Sequence, residues 1–272
     1  MSEKTLTPRF TSILVTCNDA GHLQESLSSV TFCEEVLVFD MGSKDSSYEI
    51  AREIASRVER IQQVDVVEKV WGRVVSEAGN DWLILLDPDE VFPTDIIPEL
   101  KKIIQSQPDV GLISIPWKYY FLGKPLNSTS WGQEHFKARI FHRDRVDLTG
   151  VLFKGIQLKP GYSSYTFPTE SGFILKHYWI DSLPQLFSKH WRYIRNDGEA
   201  RYNKGERFSF KRQVKESIRT FRKDLFDYHG IKDGCRGIFL SFFHAWFIFN
   251  CHISLFFYQV FKAPKMSEPR AA

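Results

Sequence analysis

Acidic side chains in this 272-residue chain gather where short apolar runs stop. In DWLILLDPDE, Leu83 to Leu86 carry no charge and end in Asp87, Pro88, Asp89 and Glu90. Two Asp separated by one residue can hold a hard divalent cation, Mn or Mg, which in turn can hold a diphosphate. Carboxylates packed against the end of a buried strand are costly unless something positive compensates them. The plain alternative is a polar loop and an N-cap for the next helix. The same arrangement occurs twice earlier. SILVTC breaks into Asn18 and Asp19, and Val36 to Phe39 ends in Asp40, followed by a Gly42-Ser43 turn that admits close backbone approach. If these strands are parallel, Asn18, Asp40, Asp87 and Asp89 share one edge of the sheet, where α/β proteins bind ligands. That favours a nucleotide pocket. Neither G-x-G-x-x-G nor G-x-x-x-x-G-K-[ST] is present, which argues against a dinucleotide-binding Rossmann enzyme and a P-loop kinase.

The elements that must position these residues follow from periodicity. The unbroken run before Asp87 fits a strand buried on both faces. A buried helical segment competes, but Pro88 stops the pattern and Trp82 and Ile84 favour strand. LQESLSSV places Leu23, Leu27 and Val30 on one helical face. A second helix follows Asp40, capped by Ser43 or Asp45, with Ile50 and Ile54 inward. Arg60 to Val66 reads as a weaker strand and Lys69 to Ala78 as a helix. This alternation predicts an α/β, doubly wound, mostly parallel sheet. Residues 110 to 178 read as β-rich, with VGLISIPW, ARIF and GFILKHYW as strands.

Composition bounds the class. A hydrophobic content of 43% and 25% charge describe a globular protein with ample core, one large domain or one domain with an appendage. A net charge of +3 is too small to argue for nucleic acid as a partner. The 4 cysteines lack metal-ligand spacing, and a reduced interior is the simpler setting. The polar opening MSEKTLTPRF lacks the apolar core of a secretory signal, so the catalytic part is expected in the cytoplasm. The expected divisions are 10–180 for the α/β domain, 181–262 for a helical extension, and a disordered tail over 263–272.

Between Lys189 and Lys223 that extension is strongly basic, with aromatics such as Trp191, Tyr202 and Phe221 interleaved. A solvated helix face over a core stripe is the plain reading. Gly237 to Val260 then contains no Lys, Arg, Asp or Glu. It is long enough to span a bilayer, but His244, Asn250, His252 and Gln259 interrupt it, and polar groups are expensive there. The expectation is a helix or broken hairpin lying in the membrane interface, or buried against a partner, including a second copy. An apolar core helix competes. Basic helices just ahead suit anionic headgroups and a peripheral place at the membrane's inner face.

Three stretches in order, VTCN, EVLVFDMGSKDSSYEIA and NDWLILLDPDE, resemble family 2 glycosyltransferases of the nucleotide-sugar-binding GT-A fold. More narrowly they resemble the branch containing lipopolysaccharide-core glucosyltransferases, where a D-x-G-S-x-D turn and an L-D-x-D-E stretch recur. FILKHYWIDSLPQLFSKHWRYIRNDGEARY is similar to that branch as well, so the likeness covers most of residues 10 to 260. The resemblance implies that Thr16 and Asn18 line the nucleotide pocket, that Asp40 holds the base or ribose, and that Gly42 and Ser43 belong to the same turn. It implies that Asp87 and Asp89 bind a metal bridging the donor's diphosphate, with Glu90 flanking. The implied reaction is inverting transfer from a nucleotide-diphosphate sugar to a lipid-linked or saccharide acceptor, of lipopolysaccharide or polysaccharide type.

The chain departs from that branch in two places. Before Asp81 a basic residue and Asn are replaced by Trp71-Gly72, with Arg73 one place off. A His-Glu pair after a short strand is replaced by Phe153 and Lys154, which cannot take a proton as a carboxylate would. Glu134 is the candidate base, since the branch often has an acid there; the alternative is a solvated turn residue. Arg139 sits in a recurring R-x-F pattern and could orient diphosphate or acceptor, or pair with an acid. His177-Tyr178 closes the pocket in the branch, although a lone His at a strand end is more often structural. The reading from a different class is a non-catalytic nucleotide-sugar-binding or scaffold protein on the same fold.

Overall fold

The computed structural model of the chain describes residues 7–64, 67–148 and 155–262. Two compact units emerge: Met1–Tyr119 with Glu134–Trp179, and Tyr120–Gln133 with Ile180–Ala272.

In the first unit strands and helices alternate as β1 (Phe10–Thr16), α1 (Ala20–Ser28), β2 (Glu35–Asp40), α2 (Ser47–Ile54), β3 (Arg57–Arg60), α3 (Glu68–Ser76) and β4 (Trp82–Leu86). These four strands are mutually parallel in the order β3-β2-β1-β4. The register sets Thr16 against Asp40 and Leu14 against Leu86, so the carboxyl ends of β1 and β2 stand level and that of β4 falls two residues short of them, on the same edge. Buried side chains alternate between two cores, as strands covered on both faces require. Phe10, Leu14, Val36, Val38, Ile84 and Leu86 face one core with Leu23 and Leu27 of α1; Ile13, Leu37, Phe39, Leu83 and Leu85 face the other with Trp71 and Val74 of α3.

Beyond β4 the chain forms β5 (Glu90–Val91), α4 (Ile97–Ser106), β6 (Val110–Phe121), β7 (Lys124–Pro125), β8 (His135–His142), β9 (Val146–Leu148), β10 (Ile156–Leu158), β11 (Ser163–Thr166) and β12 (Leu175–Ile180). The sheet continues from β4 as β8-β6-β12-β5, while β9 and β10 form a separate pair. The fold is α/β as expected. The sheet is mixed, because β8 pairs antiparallel with both β4 and β6, and β12 does so with β5. The weak strand lies earlier than its hydrophobicity suggests: β3 stops at Arg60, where its pairing with Asp40 ends β2 as well.

The second unit is helical, with α5 (Leu183–Asn203), α6 (Phe210–Arg222) and α7 (Cys235–Phe257). Both α5 and α6 pack along α7. Phe187 meets Phe243 and Trp246, His190 meets Phe243 and Phe247, and Phe221 meets Phe242 at 4.5 Å between centroids. A Cβ on Gly198 would stand 2.4 Å from the carbonyl oxygen of Ser254, so its lack of a side chain lets α5 approach α7. Cys235–Lys262 is long and apolar enough to cross a membrane, and an 18-residue window within it has a mean hydropathy of 1.5 and is 33% buried. The polar residues that interrupt it are nevertheless partnered within the unit. His244 Nδ1 lies 2.6 Å from Asp224, His252 Nε2 lies 2.7 Å from Glu216, and Asn250 donates to the Trp246 carbonyl. The expected tail, 263–272, lies outside the described residues.

Candidate active site

Two loops at the carboxyl ends of β1 and β2 are laced together by their own polar groups. Thr16 Oγ1 and the Cys17 N–H both donate to Asp19, and the Asp19 N–H donates to Ser47 Oγ. The Asn18 N–H donates to Ser43 Oγ while Asn18 Oδ1 accepts from the Lys44 N–H. Asn18 and Gly42 adopt left-handed backbone at φ 60 and 81, conformations that Asn and Gly tolerate best. Asp40 is fully buried and accepts from the N–H groups of Gly42 and Ser43, with Arg60 Nε at 3.8 Å. Thr16, Asn18, Asp40, Gly42 and Ser43 are therefore brought together. Asp19 was not singled out from sequence, although it closes this loop. Burial pushes its pKa up, more than the bonds from Cys17 and Thr16 lower it.

The end of β4 carries a second cluster. Asp87 and Glu90 face two cations of β8, where Lys137 and Arg139 project from one side of the strand. Lys137 Nζ lies 3.0 Å from Asp87 and 2.6 Å from Glu90; Arg139 contacts both acids, at 2.6 Å from Glu90. Burial would raise both carboxyl pKa values, but the Arg139 guanidinium and then Lys137 outweigh it and hold both acids below their ordinary range. The same acids push Arg139 further up. His177, opposite Glu90 in the β5–β12 pair, sets Nδ1 3.5 Å from both Asp89 and Glu90. Trp117 lies under Lys137 at 4.2 Å and packs edge-on to His177. Tyr178 stacks on His22 at 4.2 Å and donates to Glu25.

The structure thus gathers Asp87, Asp89, Arg139 and His177, with Glu90 and Lys137, at the strand end. Lys137 was missed from sequence; its spacing of two from Arg139 on one strand was the available signal. Glu134 is exposed just ahead of β8 and accepts from Thr169 Oγ1 at 3.2 Å, with no contact to either cluster among the described residues. Phe153 and Lys154 lie outside the described residues. No group of three or more His, Cys, Asp or Glu able to hold a metal exists among the described residues. Asp87 is also balanced by two cations. This donor set fits a divalent ion only when phosphate oxygens and water supply the rest of its shell, which is how Mg2+ is commonly held. Among the described residues, Trp117 Nε1 and Arg139 Nε are buried here without a hydrogen-bond partner, an arrangement that a polar ligand would relieve.

A parallel half-sheet with acids at one carboxyl edge defines the α/β class whose ligands sit at that edge. The model of Glycosyl transferase family 2 matches residues 11–155, more than half of the chain, and the chain belongs to that family. Succinoglycan biosynthesis protein ExoA of Rhizobium meliloti (strain 1021) is 29% identical over 112 residues, covering 37% of this chain and 34% of that protein. The match therefore spans about a third of that relative's length. Among solved structures, S. aureus TarS 1-349 aligns at 18% identity and TM-score 0.35, covering 42% of this chain and 36% of that one. Glucosyl-3-phosphoglycerate synthase from Mycobacterium tuberculosis, solved with Mn2+, UDP and glucosyl-3-phosphoglycerate, aligns at 16% and 0.36, covering 41% and 44%. Likenesses this slight carry no weight for substrate or mechanism.

Proposed function

We propose that this chain is an inverting glycosyltransferase. It moves a sugar from a nucleotide-diphosphate donor to a lipid-linked, lipopolysaccharide or polysaccharide acceptor at the cytoplasmic face of a membrane. The observation that carries this reading is the alignment of Asp40 and the Asp87–Asp89 pair along one edge of the parallel strands, within the segment that the family model matches. Thr16, Asn18 and the Gly42-Ser43 turn form the nucleoside side of the site, with Asp40 oriented by two backbone N–H groups. Asp89, with Asp87 beside it, would hold a divalent cation arriving with the diphosphate. When bound, that cation would offset the charge building on the leaving group. Arg139 and Lys137 hold Asp87 ionised and in place. The acceptor hydroxyl attacks the anomeric carbon opposite the diphosphate, the glycosyl–phosphate bond breaks, and the hydroxyl proton passes to a base.

Glu134 is the carboxylate that the resemblance offers for that proton; it is exposed and bonded to a neutral hydroxyl rather than to a cation, and it stands apart from both clusters. Glu134→Gln should lower kcat by about 10²–10⁴-fold, the usual weight of a positioned base, with donor affinity unchanged. A panel of nucleotide sugars with manganese, followed by release of the nucleoside diphosphate in the presence of saccharide and lipid-linked acceptors, tests the reaction itself. The replacement of the branch's His-Glu pair by Phe153 and Lys154 favours the second reading, a non-catalytic nucleotide-sugar binder. Binding without release across the panel would establish that reading instead.

A further inference from the structure

We infer that the outward face of α6 and the turn after it form a docking surface for an anionic lipid bilayer. This deepens the membrane-facing part of the proposed function, and its test is independent of sugar transfer. Lys211, Lys215, Arg219 and Lys223 follow one another at intervals of four, with Ile218 and Arg222 between their rows, so all six share one side of the helix. The opposite side, with Gln213 and Ser217, is the buried one. Like charges at this spacing oppose helix formation, and an anionic partner would relieve that cost. Two other arginines of the unit are neutralised: Arg201 pairs with Glu206, and Arg212 pairs with Glu216 and Glu206. Lys211, Lys215, Arg219 and Arg222 form no ion pair among the described residues.

Apolar side chains stand among these cations. Ile218 is 55% exposed and Phe226 57%, and both line a shallow groove of ≈ 470 Å³ with Lys215, Arg219, Arg222 and Lys223, four cations against the single acid Asp227. Phe242 of α7, 60% exposed, packs on Phe221 of α6 and extends the apolar edge. Cations that reach phosphates beside a branched aliphatic and an aromatic that reach hydrocarbon match the interface of an anionic bilayer. A nucleic acid would satisfy the cations but gives Ile218 nothing to bury against. The 237–260 stretch need not enter lipid for this surface to act, since its His and Asn side chains are partnered inside the unit.

The test is flotation of the full chain with vesicles of phosphatidylcholine alone and of phosphatidylcholine with about a third phosphatidylglycerol. Wild type should float with the anionic vesicles only, and high salt should release it. Each Lys or Arg near such a surface raises partitioning roughly fivefold, so the combined Lys215→Glu, Arg219→Glu and Arg222→Glu variant should lose about a hundredfold or more. Arg219→Lys with Arg222→Lys should keep binding, and Phe226→Ser should weaken it with all charges intact. Circular dichroism and the urea unfolding midpoint monitor the fold, so loss of flotation with both preserved is specific to this surface. Failure of wild type to float, equal flotation with neutral vesicles, preference for nucleic acid over vesicles, or a self-association that the triple variant abolishes would each overturn the inference.

Discussion

Glu90, fully buried at the end of a strand, would be untenable without Lys137 and Arg139, which also pair with the 36% exposed Asp87, and that compensation makes a pH prediction. Both acids titrate below their unfolded values of 3.8 and 4.5, because Arg139 and Lys137 outweigh burial. A depressed carboxyl pKa stabilises the fold at pH above the unfolded value, and that contribution disappears as pH falls through the carboxylate range toward the folded value. Urea denaturation followed from neutral pH downward should therefore show stability falling below about pH 4.5. Glu90→Gln should lower stability at neutral pH by about 3 kcal/mol, the low end for breaking a buried pair, and should flatten the acid slope. A loss below about 1 kcal/mol would mean that Arg139 is satisfied by Asp87 alone. The acids of this cluster were legible in the sequence because each ends an apolar run. Their cations were harder to see, since Lys137 and Arg139 reach Asp87 from a strand about fifty residues later whose register no local pattern states.

Among the elements, the parallel strands were readable because strands buried on both faces are apolar without interruption, as Leu83 to Leu86 and Val36 to Phe39 are. The antiparallel half was legible as strands but not as pairings, and β3 was displaced because its partner's end, not its own hydrophobicity, terminates it. In the helical unit, α7 reads as a membrane segment by length and composition while its His244 and His252 are matched by Asp224 and Glu216 of neighbouring helical turns. A helix with lipid on all sides would have no such partners. The contact of α5 with α7 hinges on one position. Gly198→Ala would ordinarily gain about 0.5–1 kcal/mol inside a helix by limiting the unfolded chain. Here the added Cβ meets the Ser254 carbonyl oxygen at 2.4 Å, and overpacking of that kind costs about 1–3 kcal/mol. The net effect should be a lower unfolding midpoint in urea. An unchanged or raised midpoint would show that the two helices part freely.

For the whole molecule, the family match ends at residue 155, so it speaks for the α/β unit and leaves the helical unit to be read from its own chemistry. That unit also takes in Tyr120–Gln133, which the sequence alone placed with the sheet. The reason is a pair of buried acids. Asp233 accepts from Asn127 and Ser128, and Asp224 accepts from Ser130, across separations of 94 to 106 residues that no local signal announces. The central claim, that the acidic strand ends form a nucleotide-diphosphate site, is tested most directly by calorimetric titration of nucleoside diphosphates into the full chain, in manganese and in EDTA, for wild type and Asp89→Asn. The account predicts that at least one nucleoside diphosphate binds wild type, that EDTA weakens it, and that Asp89→Asn removes the metal-dependent part while leaving the fold intact. Equal affinity in manganese and EDTA would contradict the metal role of the Asp87–Asp89 pair, and no binding of any nucleoside diphosphate in manganese would contradict the account as a whole.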